Sequence, residues 1–290
     1  MKNNLIMKSN QERENFSIRD ISHVLSQVAD LFDQQAKEDI LCKGWGKHLY
    51  EIELILNNCR GKEKILDVGG GVGVNLLCLK RINNELELNL IDNFHEYTKE
   101  NPMGSGVQAL HRLKNSGIIV EKQDFSNYKL PYNSEYFDVV TGWDVIEHFP
   151  EPPIKLLKEI KRILKKDGTL LVSVPNLVST ARRGRFLLGK HPYMHFDEWI
   201  GERYYGHYRE CTRKEWQIII EKAGFSQVKT FMVNEPTRTK AYNSYHLKKY
   251  SRFSLPALGL WVLYFLDTLF PNLRTQIYCT AKRDNNNMDY

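Results

Sequence analysis

The chain has 290 residues, 42% of them hydrophobic, with 41 Lys and Arg against 35 Asp and Glu for a formal net charge of +6. That length and apolar share suffice to bury a full core, which excludes a disordered or fibrous chain. The five cysteines (Cys42, Cys59, Cys78, Cys211, Cys279) are scattered and form no CxxC pair, which argues against a disulfide framework or a cysteine zinc site.

The charge is uneven. Residues Leu177 to Tyr290 hold 18 Lys and Arg against 10 Asp and Glu, whereas the preceding part holds 23 against 25. A basic C-terminal third suits an anionic partner or a solvated lysine-rich surface equally. The opening segment, MKNNLIMKSNQEREN, carries no apolar core, so no signal peptide is read and the expected location is cytoplasmic.

Residues 1 to 16 are polar. From Ile18 to about Asn58 the apolar spacing is helical and predicts two helices covering one end of the core, so residues 1–60 are read as an N-terminal helical cover. Alternation then begins. KILDV predicts a strand running into four glycines, followed by a helix from about Val74 to Ile82. LELNLID, ending at Asp92, predicts the second strand, and GIIVEKQD, ending near Asp124, the third. FDVVTGWD is the fourth. EPPIKLLKEIKRILKKDG predicts a helix opened by prolines and closed by Gly168, and TLLVSVPN is the fifth strand. Thr212 with Glu215 forms a capping box for TRKEWQIIIEKAG; FSQVKTFMV and TQIYCTAKR complete the strands. The fold class expected is α/β, Rossmann-like: a seven-stranded, mostly parallel sheet with helices on both faces, over residues 61–290. Two insertions, about 177–211 and 234–272, interrupt its C-terminal half.

The glycine run selects its ligand by spacing. A dinucleotide loop wants G-x-G-x-x-G. Counted from Gly69 the third glycine falls on Val74, and from Gly71 on Leu76. No Gly-Lys-Ser/Thr closes the run as a P-loop would. The pattern present is D-x-G-x-G-x-G: Asp67, Gly69, Gly71, Gly73. In this the chain resembles the class I S-adenosylmethionine-dependent methyltransferases, in particular the small-molecule branch that includes ubiquinone and sugar O-methyltransferases. The resemblance implies that Asp67 and the glycines meet the methionine end of S-adenosylmethionine. It implies further that Asp92, with Asn93 beside it, accepts the ribose hydroxyls, that Asp124 and Phe125 meet the adenine, and that Trp143 and Asp144 sit near the sulfonium. A carboxylate can accept two hydrogen bonds at once, which suits the ribose role. No (D/N)-P-P-(Y/F) signature of base-amine methylation is present; Pro152 and Pro153 read as a helix start.

Asp144, Glu147, His148 and Glu151 resemble the D-x-x-E-H-x-x-D segment of ubiquinone O-methyltransferases, with Glu151 in place of the last acid. His148 is a candidate general base; one alternative is that Glu147 and His148 cap the next helix and shape the pocket, and another, which Glu151 in place of Asp weakens, is that the segment binds a metal. No metal is expected, and His191 and His195, separated by Pro192, are read as structural. His207 is the second candidate catalytic residue. Tyr208 and Arg209 are candidates for substrate contact; Arg182 and Arg185, with Arg183 and Lys190, are candidates to hold an acceptor phosphate, or form a solvated helix face. Residues 255–270, LPALGLWVLYFLDTLF, read as a buried helix or dimer surface, with peripheral membrane contact beside Lys248, Lys249 and Arg252 as the alternative. The function expected is methyl transfer to a small-molecule oxygen on a sugar or lipid-linked intermediate. The alternatives are RNA or protein methylation, or cofactor binding without chemistry.

Overall fold

The computed structural model describes residues 17–95, 97, 103–124, 127–192, 200, 206–234, 262 and 265–284. Among them the strands form one sheet of seven, in the order β3-β2-β1-β4-β5-β7-β6. The strands are β1 (Lys64–Val68), β2 (Glu87–Asp92), β3 (Ile119–Lys122), β4 (Phe137–Trp143), β5 (Leu164–Pro175), β6 (Phe225–Val233) and β7 (Gln276–Arg283). β1 pairs in parallel with both β2 and β4, whereas β7 runs antiparallel between β5 and β6. The crossover helices are α4 (Val74–Ile82), α5 (Gly106–Asn115) and α6 (Ile154–Ile163), preceded by α1 (Ile18–Ala29), α2 (Gln34–Glu38) and α3 (Trp45–Asn57). α7 (Thr180–Leu187) lies in the first insertion, and α8 (Arg213–Lys222) follows it.

Alternating side chains divide the core between the two sheet faces. Ile65, Leu88 and Leu90 pack with α1, α3 and α4 through Leu25, Ile52 and Leu77. Leu66, Val68 and Ile91 pack on the other face with Leu157, Ile160 and Trp216 of α6 and α8. The central strands are buried except at Lys64 and Asp138 near their starts, as expected for parallel strands covered on both sides. The capping box of α8 is present: the Thr212 side chain accepts from the Glu215 backbone N–H, and Glu215 accepts from the Thr212 N–H at 2.8 Å.

The structure corrects three boundaries. The helix expected to run to Gly168 ends at Ile163, because Leu164 is buried opposite Phe137 and already belongs to β5. Polar, helix-compatible residues 165–168 lie inside the strand; Lys165 Nζ reaches Asp138 at 2.8 Å, Asp167 turns with φ 60°, and the register shifts between Phe137 and Val139. The third strand is short, stopping at Lys122, and it is an exposed edge. The helical cover has α2 and a π-helical turn (Asp39–Lys43) between α1 and α3, in addition to the two helices expected. Most of the second insertion lies outside the described residues. Where residues 265–269 are described they are helical, and Asp267 there is buried and accepts from Thr180 Oγ1 of α7 at 2.5 Å. No helix among the described residues is long and apolar enough to cross a membrane.

Candidate active site

The loop between β1 and α4 is shaped by backbone that only glycine accepts readily. Gly69, Gly71 and Gly73 have φ of 68°, 54° and 72°, alternating with residues of ordinary backbone. A side chain there would strain the left-handed region, which is why the glycines recur at every second position. Space is short as well: a Cβ on Gly70 would stand 2.6 Å from Asp67 Oδ2.

β1 and β2 bring their acids side by side. Asp67 is opposite Leu90 in the register, two residues before Asp92. Asp67 is 2% exposed and accepts from Thr141 Oγ1 at 2.7 Å. Burial pushes its carboxyl up to about 6, with Thr141 opposing and the neighbouring Asp92 adding to the rise. Asp92 ends β2 and accepts from the Gly71 N–H at 2.9 Å with one oxygen and from the Phe94 N–H at 2.5 Å with the other. Burial raises its carboxyl too, against the pull of those two N–H donors. Each oxygen keeps a further lone pair, so the group can still take hydroxyl donors. Asn93 closes its own turn by accepting from the His95 N–H at 3.0 Å. Asp124 stands exposed in the turn after β3; Phe125 lies outside the described residues.

The end of β4 is built differently. Trp143 is buried, its ring 6.0 Å from that of Tyr278, and its Nε1 has no partner among the described residues. Asp144 adopts φ 53° and accepts from Lys47 Nζ, Gln276 Nε2 and, at 3.1 Å, Ser173 Oγ. Burial pushes its carboxyl up, and the Lys47 charge with these donors outweighs that and holds it below the usual range. The carboxylate expected beside the sulfonium is therefore fixed by α3 and β7. α3 also carries His48, whose Nδ1 is 2.8 Å from Asn75 Oδ1, and Glu51, buried and accepting from Asn75 Nδ2 at 2.7 Å. Burial drives His48 down to about 4, so its ring is neutral.

One turn further, Glu147 is 2% exposed, and neither carboxylate oxygen has a hydrogen-bond partner among the described residues. Burial and the nearby Asp144 charge push its carboxyl well above the ordinary range. Its backbone carbonyl accepts from the Tyr208 N–H at 2.8 Å, docking the 206–210 segment onto the end of β4. The His148 and His207 rings meet edge to face at 4.8 Å, and His207 Nε2 lies 3.9 Å from Glu147 Oε1. His207 Nδ1 is 2.5 Å from Glu210 Oε1. Ligand atoms of Glu147, His148 and His207 all lie within 4.8 Å of one another, so this trio has the spacing to hold a cation. Glu151 stands apart, paired with Lys155 at 3.0 Å.

The arginines are engaged locally. Arg182 donates to Glu210 Oε1 at 2.5 Å and to the Pro192 carbonyl at 3.2 Å; Arg185 donates to the His191 carbonyl at 3.0 Å. Arg209 pairs with Glu215 at 2.9 Å, and Tyr208 is half exposed. His195 is outside the described residues. Sequence reasoning missed Lys47, Glu51, Glu210 and Gln276. Glu51 left one trace, an acid on the apolar Leu49–Ile52–Ile55 face of α3.

A glycine loop opened by a buried acid, a second acid ending the adjacent strand, and a sheet of order 3-2-1-4-5-7-6 with one antiparallel strand define a class I S-adenosylmethionine-dependent methyltransferase. A family model described as a methyltransferase domain matches residues 22–230, and the chain belongs to that family. An uncharacterized protein of Methanocaldococcus jannaschii is 24% identical over 242 residues, 78% of this chain and 88% of that one. The ubiquinone biosynthesis O-methyltransferase of Actinobacillus pleuropneumoniae is 27% identical over 121 residues, 41% of this chain and about half (48%) of that enzyme. Among solved structures, phosphoethanolamine N-methyltransferase 2 of Haemonchus contortus superposes with a TM-score of 0.57 at 17% identity, over 94% of this chain and 59% of that one. That likeness shows the fold.

The residues fit the family's cofactor. The positive-φ glycines leave backbone without side chains along the loop, and the Asp92 carboxylate is held by Gly71 with acceptor capacity remaining.

Proposed function

We propose that the chain methylates a hydroxyl of a small molecule, on a sugar or a lipid-linked intermediate. The observation that carries this reading is the pairing of His148 and His207 at the end of β4, where a neutral imidazole can take a hydroxyl proton. An amine acceptor needs no such base once it is deprotonated; a hydroxyl does. The similarity over part of the chain to a ubiquinone biosynthesis O-methyltransferase fits a small-molecule acceptor.

When bound, S-adenosylmethionine supplies an electrophilic methyl group. Asp92 and the Gly69–Gly73 loop orient it, and Asp124 adds an acid at the third strand end. Asp144, anchored by Lys47 and Gln276, keeps the β4 turn in place. His207, or His148 beside it, takes the acceptor proton, and the 206–210 segment docked on Glu147 shields the reaction from water. The protein acts mainly by alignment and exclusion of solvent.

The test is formation of S-adenosylhomocysteine with matched panels of hydroxyl, amine and RNA acceptors. Turnover with sugar or lipid-linked alcohols, lost in His207→Gln, is expected. Turnover confined to amines or RNA would refute the hydroxyl reading.

A further inference from the structure

Building on the reading of His207 as a proton acceptor, we propose that Glu210 is a positioning residue, fixing the tautomer of His207 so that the lone pair sits on Nε2 facing Glu147 and His148. The segment after α7 places Glu210 three residues beyond His207, and its side chain is 2% exposed. Its Oε1 lies 2.5 Å from His207 Nδ1. An ionised carboxylate only accepts hydrogen bonds, so Nδ1 must be the donor and Nε2 the ring nitrogen left with a lone pair. That second nitrogen is turned toward Glu147 Oε1, 3.9 Å away, at the end of β4 where the acceptor must approach.

Arg182 of α7 places a counterion beside the buried Glu210. Its Nη2 donates to the same Oε1 at 2.5 Å, supplying the opposite charge that a buried carboxylate needs. The geometry differs from a simple ion pair. Arginine and carboxylate acting alone favour two parallel bonds. Here the oxygen that takes Arg182 also takes His207, and Oε2 has no partner among the described residues. The carboxylate is therefore aimed at the imidazole, with Arg182 as its counterion. Among the described residues, the groups that face His207 are Glu210 on its own segment, Arg182 behind it on α7, and Glu147 and His148 on the turn after β4. The same arrangement accounts for the occupation of Arg182, a sequence candidate for an acceptor phosphate or a solvated helix face.

The experiment is long-range 1H–15N correlation NMR on protein labelled at histidine, near pH 8.5, with the His207 signals assigned by their loss in His207→Gln. In the unmodified chain His207 is expected to carry its proton on Nδ1. In Glu210→Leu the proton moves to Nε2, and kcat falls roughly a hundredfold, the low end of what a positioned base contributes, while acceptor KM and cofactor Kd stay within about twofold. Glu210→Gln, which keeps an acceptor oxygen, recovers most of the Nδ1–H tautomer and part of kcat. An Nε2–H tautomer in the unmodified chain overturns the proposal, and that measurement needs no variant to fold. An unchanged kcat or an unmoved tautomer in a folded Glu210→Leu also overturns it. A chain that methylates no hydroxyl yet shows the tautomer shift refutes the proposed reaction and leaves the role of Glu210 standing.

Discussion

The cofactor side and the acceptor side of the site hold their carboxylates by opposite means. Asp67 and Asp92 are satisfied by near neighbours in the sheet: a threonine hydroxyl on β4, and backbone N–H groups of the turns at Gly71 and Phe94. Asp144, Glu147 and Glu210 depend on side chains brought from α3, α7 and β7, or find no partner at all among the described residues. Backbone donors are present whatever the sequence, so apart from Thr141 the first half needs only glycines and acids at the right spacing. The second half needs particular residues to arrive from far along the chain, and it can change acceptor by changing any of them.

The largest effect that would break this contrast is on the loop itself. Gly73→Val places a β-branched side chain in left-handed backbone and a Cβ 2.4 Å from Leu113 Cδ2. The strain costs about 1–2 kcal/mol and the overpacking about 1–3 kcal/mol more. Melting should drop by roughly 10 °C by calorimetry. An unchanged Tm would mean the loop is not dictated by backbone.

Next comes Asp92→Asn. Losing a charged acceptor should weaken S-adenosylmethionine binding about 10- to 100-fold by titration calorimetry, from hydrogen bonds worth roughly 1.5–3 kcal/mol. Asn is sharper than Ala, because it keeps an acceptor oxygen for one of the Gly71 and Phe94 N–H groups, whereas Ala leaves both without one. Equal affinity would remove the carboxylate from the cofactor's side.

Asp67→Asn separates charge from shape. The folded carboxyl lies near 6 against an ordinary 3.8, so it stays protonated while the unfolded chain ionises. Its contribution is present below about pH 4 and is lost as pH rises through about 6. Urea melts should therefore show the variant gaining about 3 kcal/mol relative to the parent between roughly pH 4 and 8. A flat difference would contradict the buried, protonated acid.

The smallest effect belongs to Arg209→Ala. Its pair with Glu215 is exposed, at 72% and 40% side-chain accessibility, and such pairs contribute less than about 1 kcal/mol. Stability should barely move. A tenfold rise in acceptor KM would instead move Arg209 into the acceptor's half of the site and sharpen the contrast.

The same division explains what could be read from the sequence. Asp67, the glycines, Asp92, the Thr212–Glu215 cap and all strand cores are encoded within a few residues, where spacing speaks directly. The end of α6 was misread because residues 165–168 suit a helix, and only pairing of Leu164 with Phe137 makes them strand. Lys47 lies 97 residues from Asp144, and Gln276 lies 132 from it; no local pattern announces such partners. Glu210 sat three residues from a histidine already singled out, but its link to Arg182 spans 28 residues.

The insertion of β7 between β5 and β6 has a consequence for synthesis. Until residues 276–283 leave the ribosome, strand 225–233 has no hydrogen-bonding neighbour, and Gln276 and Tyr278 are missing from beside Asp144 and Trp143. The nascent sheet therefore stays open on that side, and the β4 turn lacks two of its neighbours, until residues 276–283 pair.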